Sequence, residues 1–193
     1  MKIYEDLDQI DRVLKISDHS VREWIGFNYG EYLDEVIAWV DKHGFEDAED
    51  LSMIQIKAMR KELIQSFKKG ESIRTISRKL LSAGLKDLEV TIPPKTDEEG
   101  NIIRQGYNRV IPKEFRAEIL ARTETIKAAN EGALDNYEKN MVVERVQWIA
   151  AISDRTCDEC ASMNGQIFEL KNAHGLIPRH CACRCCFAPI TGD

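Results

Sequence analysis

The first 156 residues contain no cysteine, yet six cysteines follow between positions 157 and 186. A disulfide-stapled secreted protein usually spreads its cysteines through the fold, so this distribution points to one local site. No run of about 18 apolar residues occurs, which leaves no candidate membrane span. The opening Met1-Lys2-Ile3-Tyr4-Glu5-Asp6 lacks the basic-then-apolar layout of a secretory signal. The chain is therefore expected to be made in a cytoplasm. His-Glu-x-x-His is missing, and neither His174 nor His180 opens the His-x-Glu of a zinc deaminase. A net charge of −6 disfavours a chain that coats nucleic acid throughout.

What is present is the profile of a folded protein. Of 193 residues, 43% are hydrophobic and 31% charged, enough for a core in one domain or one domain plus an accessory lobe. The charge is uneven. Residues 1–50 carry 5 basic and 14 acidic side chains, whereas residues 51–92 carry 9 and 4. These segments either face each other, expose two solvated helical faces, or meet different partners.

The pattern predicts an α+β fold: a mainly helical N-terminal part, a β-hairpin insertion and a small C-terminal β subdomain stapled by zinc. Three segments are expected, an acidic helical one over 1–54, a helical body over 55–145 and a Cys/His subdomain over 146–193. Ser20-Val21-Arg22-Glu23 reads as a capping box, and Trp24, Ile25, Leu33, Val36, Ile37 and Val40 follow at helical spacing up to Gly44. Leu51, Ile54, Met59, Leu63 and Phe67 mark a second helix ended by Gly70. Ser72 caps a third carrying Ile73, Ile76, Leu80 and Leu81, ended by Gly84. The period then changes. Leu88–Ile92 alternates, Pro93-Pro94 and Asp97–Asn101 supply turns, and residues 102–110 return, predicting a hairpin over about 88–111. Pro112 suits the first turn of a long helix with a stripe at Phe115, Ile119, Ile126, Ala129, Ala133 and Tyr137. Short strands are expected over 146–152, 166–170 and 186–190, with the cysteines in loops between them.

Cys157-Asp158-Glu159-Cys160 and, further on, His180-Cys181-Ala182-Cys183 fit a tetrahedral zinc site. Each pair lets one tight loop offer two ligands, and the spacer closes the box. The preferred set is Cys157, Cys160, His180 and Cys183, with Cys185 able to replace either His180 or Cys183. Disulfides, or reduced and unligated thiols, are the competing readings. Four protein ligands leave no open position for water, so the metal is expected to be structural and the chain not an enzyme. Asp154 and Arg184 flank the cluster and are assigned structural roles around the ligands.

The stretch Trp148 to Cys160, with Asp154 and the Cys-x-x-Cys, then Gly165 and Pro178-Arg179-His180-Cys181-Ala182-Cys183-Arg184-Cys185, resembles the phage Mu F-like minor head proteins, also called phage head morphogenesis proteins. Ala121-Arg122-Thr123-Glu124 followed by Asn130 is similar to that family's Arg-Thr-Glu helix, and Gly70-Glu71-Ser72-Ile73 to its preceding short helix. Ile177 and Cys181 stand where the family often has proline. The resemblance implies a virion protein of the phage head interior. A few copies would enter the procapsid, associate with the portal, and assist packaging or delivery of DNA. For Arg122 the structural expectation is a bond to loop carbonyls or Asp154, and for Glu124 a pairing with a basic residue. Contact with the portal or DNA is the alternative for both.

Two other functions compete. One is a zinc-containing DNA-binding module using Lys57, Arg60, Lys61, Lys68, Lys69, Arg74, Arg78 and Lys79. The other is a zinc-dependent nuclease or toxin, which lacks a recognisable base and nucleophile. The acidic residues 1–50, with Trp24, Phe27, Tyr29, Tyr32 and Trp39, read as an adaptor to a protein surface.

Overall fold

The computed structural model describes residues 29–141 and 143–190. The capping box at Ser20 and the aromatic residues Trp24 and Phe27 lie outside them. Five helices and three small sheets are present among the described residues. Helix α1 spans Tyr29–His43, α2 Met53–Lys68 and α3 Ile73–Ser82. Strands β1 (Leu88–Ile92), β2 (Lys95–Thr96), β3 (Ile102–Arg104) and β4 (Tyr107–Ile111) precede α4, Lys113–Asn140. Strand β5 (Arg145–Ile149), α5 (Asp158–Met163), β6 (Ile167–Glu169) and β7 (Cys186–Ile190) complete the chain.

The local signals explain most boundaries. Ser52 caps α2 in a full capping box with Gln55, and Ser72 caps α3 through the Thr75 amide. Gly70 and Gly84 lie just beyond these helices at φ 59° and 97°, where a side chain would be strained. Pro112 stands one position earlier than expected, at the N-cap of α4. The predicted hairpin is present but broken into two short ladders. Leu88↔Ile111 to Ile92↔Tyr107 pair in one, and Lys95↔Arg104 in the other, with a register shift at Lys95/Thr96. It stands out from the body, with Ile102, Ile103, Tyr107 and Val110 exposed.

Helix α4 is the spine. Its 28 residues run about 42 Å. Its first half packs through Ala117, Ala121 and Ala128 on a core of Val36, Val40, Phe45, Met59, Leu63, Ile76 and Leu80. Its second half packs through Leu134 and Tyr137 on Val146, Trp148, Leu170, Ile177 and Phe187. The predicted apolar stripe holds in the second half of the helix, where Ile126, Ala133 and Tyr137 pack on the core, and fails in the first, where Phe115 is exposed and alanines make the contacts. Gly132 marks a close approach. A Cβ there would lie 2.6 Å from Val36 Cγ2 and 2.9 Å from the Val36 nitrogen, so α1 approaches α4 too closely for any side chain.

The sheet β6-β5-β7 is antiparallel, with Trp148↔Phe187 and Gln147↔Ile167 as partners. Its core is completed by α4, which covers it through Leu134 and Tyr137. The described part of the acidic segment, residues 29–50, also belongs to this body. Asp47, Asp50 and Glu35 pair with Lys127, Arg116 and Lys139, all on α4 and not on the basic stretch that follows.

Candidate metal centre

The cysteines converge at the end of the three-stranded sheet. Cys157 is the N-cap of α5, a helix the sequence reading missed, and its sulfur accepts the Cys160 amide at 3.4 Å. This turn places Cys160 inside, where it is buried, and leaves Cys157 exposed. The second loop is clamped to α5 by Arg179, whose Nη2 lies 2.7 Å from Glu159 Oε1. Its tightest bend puts Ala182 at φ 58°.

His180 Nε2 lies 3.3 Å from Cys157 Sγ and 3.2 Å from Cys160 Sγ, and Cys160 Sγ lies 3.8 Å from Cys183 Sγ. Ligands of one tetrahedral zinc, at about 2.3 Å for sulfur and 2.0 Å for nitrogen, lie roughly 3.5–3.8 Å apart. These three separations are close to that spacing, and the donors are of the chemistry the ion takes. His180 Nδ1–H donates to the Cys181 carbonyl at 2.9 Å, which turns Nε2 inward as an acceptor. The four preferred residues do not form one compact group. Two triangles share Cys160: Cys157, Cys160 and His180 at the surface, and Cys160, Cys183 and Cys185 inside. Cys181 is exposed and outside both.

The electrostatics follow the same division. The Cys185 thiol donates to Cys183, and this bond, opposed by burial and reinforced by backbone amides, holds Cys183 down at about 5. Cys185 is pushed upward, first by that donation and then by burial. Burial lifts Cys160 to about 12. The Cys160 amide holds Cys157 down, and the Cys181 carbonyl, with the nearby thiolates, raises His180. A site with one thiolate already favoured and an imidazole turned inward is suited to a soft divalent ion.

Helix α4 holds the loops around the cluster. Thr123 Oγ1 accepts the Ala182 amide at 2.9 Å. Asn130 Oδ1 accepts the Phe187 amide at 3.0 Å, and its Nδ2 donates to the Cys185 carbonyl at 3.4 Å. The next residue, Glu131, accepts the Gly175 amide at 2.8 Å and pairs with His174 Nδ1 at 2.8 Å. Glu124 does not pair with a base. Its Oε2 accepts the Phe45 amide at 2.8 Å, and burial raises its carboxyl. Arg122 pairs with Glu118 at 3.5 Å and does not reach Asp154. Asp154 is exposed, and the turn it sits in is closed by Ser153 and Thr156: Thr156 Oγ1 accepts the Ser153 amide at 2.8 Å. Arg184 lines the shallow pocket over the cluster with Arg155, Thr156, His180 and Cys181. Glu131 and His174 carried no motif and were missed; only their partnership in space identifies them.

The basic stretch divides. Arg60 is spent on the Gly44 and Asp41 carbonyls, at 2.7 and 2.8 Å, and Lys79 pairs with Glu71 at 2.5 Å. Lys57, Lys61, Lys68, Lys69, Arg74 and Arg78 are exposed. Among the described residues no helix is long and apolar enough to cross a membrane.

The family model described as "Phage Mu protein F like protein" matches residues 57–188, from α2 through the cysteine cluster to β7. No curated protein and no solved structure gives a match.

Proposed function

The chain belongs to the phage Mu protein F-like family, and from that membership we propose that it is a minor head protein of a tailed phage. It enters the procapsid in a few copies, associates with the portal, and assists packaging or delivery of DNA. The observation that carries this reading is the extent of the family match. It takes in the helical body, the hairpin and the cysteine cluster as one unit.

Two surfaces support an assembly role. The hairpin exposes Ile102, Ile103, Tyr107 and Val110. A two-stranded ribbon of this kind is marginal alone and suited to being gripped by a protein partner. Zinc in the cysteine cluster has a structural part in this proposal: it ties the α5 turn to the loop at His180 and supplies stability, not a reaction. The exposed lysines and arginines of α2 and α3 favour a second contact, with packaged DNA.

Mass spectrometry of purified virions tests the reading. The chain should be present in a few copies per particle, and Ile103→Asp should lower its incorporation without changing its fold. Absence from virions would overturn the proposal.

A further inference from the structure

We propose that Cys185 is a metal ligand and that the indole N–H of Trp148 is the donor that holds its thiolate. This rests on the reading of the cluster as a zinc site and changes the preferred ligand set.

Trp148 is fully buried, with its ring 5.6 Å from Phe187 and 6.4 Å from Phe168. A buried indole N–H almost always has a partner. Nε1 of Trp148 has none of good hydrogen-bond geometry. It lies beside the Cys185 sulfur, which Cys183 and burial hold as a neutral thiol when no ion is bound. A neutral thiol is a weak acceptor, whereas a thiolate on a divalent ion is a strong one. The orphaned donor beside three clustered sulfurs thus fits a Cys185 bound to an ion.

The rest of the geometry agrees. Cys160, Cys183 and Cys185 are all buried, at 3%, 1% and 2% exposure, and their sulfurs lie within 4.8 Å of one another. The backbone at Cys185 is fixed by Asn130 on one side and by the Cys186–Ile149 pairing on the other. Three thiolates therefore form the inner face of the site. The fourth ligand comes from its exposed edge, where Cys157 and His180 meet. The ion is thiophilic and divalent, zinc or a metal of its class.

The test uses the full chain loaded with cadmium-113 and a proton–cadmium correlation spectrum, which identifies ligands in the unmutated protein. The expected result is coupling to the Cys185 β-protons, with a weaker coupling to the Trp148 indole proton. Coupling from Cys157, Cys160, Cys183 and His180 with none from Cys185 would overturn the inference and leave the zinc reading intact. Failure to bind either cadmium or zinc would overturn both. In zinc titrations Cys185→Ser should weaken binding at least tenfold and Trp148→Phe about tenfold, while Cys181→Ser and Cys186→Ser leave it unchanged. Wild-type affinity in Cys185→Ser would likewise overturn the inference.

Discussion

The carboxylate of Glu124 accepts the backbone N–H of Phe45 at 2.8 Å, where Phe45 turns the chain at φ 60° after α1. A phenylalanine in the left-handed region is unfavourable by about 1–2 kcal/mol, and the fully buried ring keeps it there. Glu124 satisfies the one amide that this bend would leave buried. Glu124→Gln keeps an acceptor, and Glu124→Ala removes it, so the alanine variant should lose about 1–3 kcal/mol, read by urea denaturation.

The same pair gives a pH signature. Burial raises the Glu124 carboxyl, so the folded state holds the proton more tightly than the unfolded state. Its contribution is therefore best below the ordinary carboxylate range and is lost as pH rises through the raised value. Glu124→Gln should gain on wild type in thermal stability between pH 4 and 7. A constant difference across that range would contradict the assignment.

Thr123 does for Ala182 what its neighbour does for Phe45. Ala182 has φ 58° and its amide is accepted by Thr123 at 2.9 Å. Ala182→Gly should stabilise the chain by about 1 kcal/mol, which is a rise of about 2–4 °C at this size. Thr123→Ala should cost about 1 kcal/mol, and Thr123→Ser should recover most of it. Both are measured by calorimetry on the metal-loaded protein.

His174 bridges Glu131 at 2.8 Å and Glu138 at 3.2 Å. Burial opposes its charge, but the two carboxylates overcome it and raise the ring above the usual histidine value. Asp135, on the same helix as the two glutamates, faces the ring as well, and Glu35 of α1 lies near Asp135. The bridge is worth most below about pH 6.5 and is lost as pH rises through the raised value. His174→Gln should flatten the stability profile between pH 6 and 8. An unchanged slope would show that the histidine does not anchor its loop.

Much of this was legible in the residues. Capping serines, a proline and helix-ending glycines gave the helices, and alternation gave β1. The Cys-x-x-Cys and the cysteines after it located the cluster. The choice among five donors was not legible, because it depends on depth: α5 turns Cys160 inward and leaves Cys157 outside. Nor were the roles of Thr123, Glu124 and Glu131. Their partners are backbone amides 44 to 79 residues away, which no local pattern encodes. The first half of the stripe on α4 was misplaced because alanines, which let the neighbouring helices approach closely, take the place of large apolar contacts there.

The proposed role requires that this chain dock on the portal-bearing head. Co-sedimentation of the zinc-loaded full chain with procapsids assembled with and without portal protein tests it most directly. Salt-resistant binding of a few copies per particle is expected, dependent on the portal and weakened by Ile103→Asp. Equal binding to portal-free particles, or none to either, would contradict it.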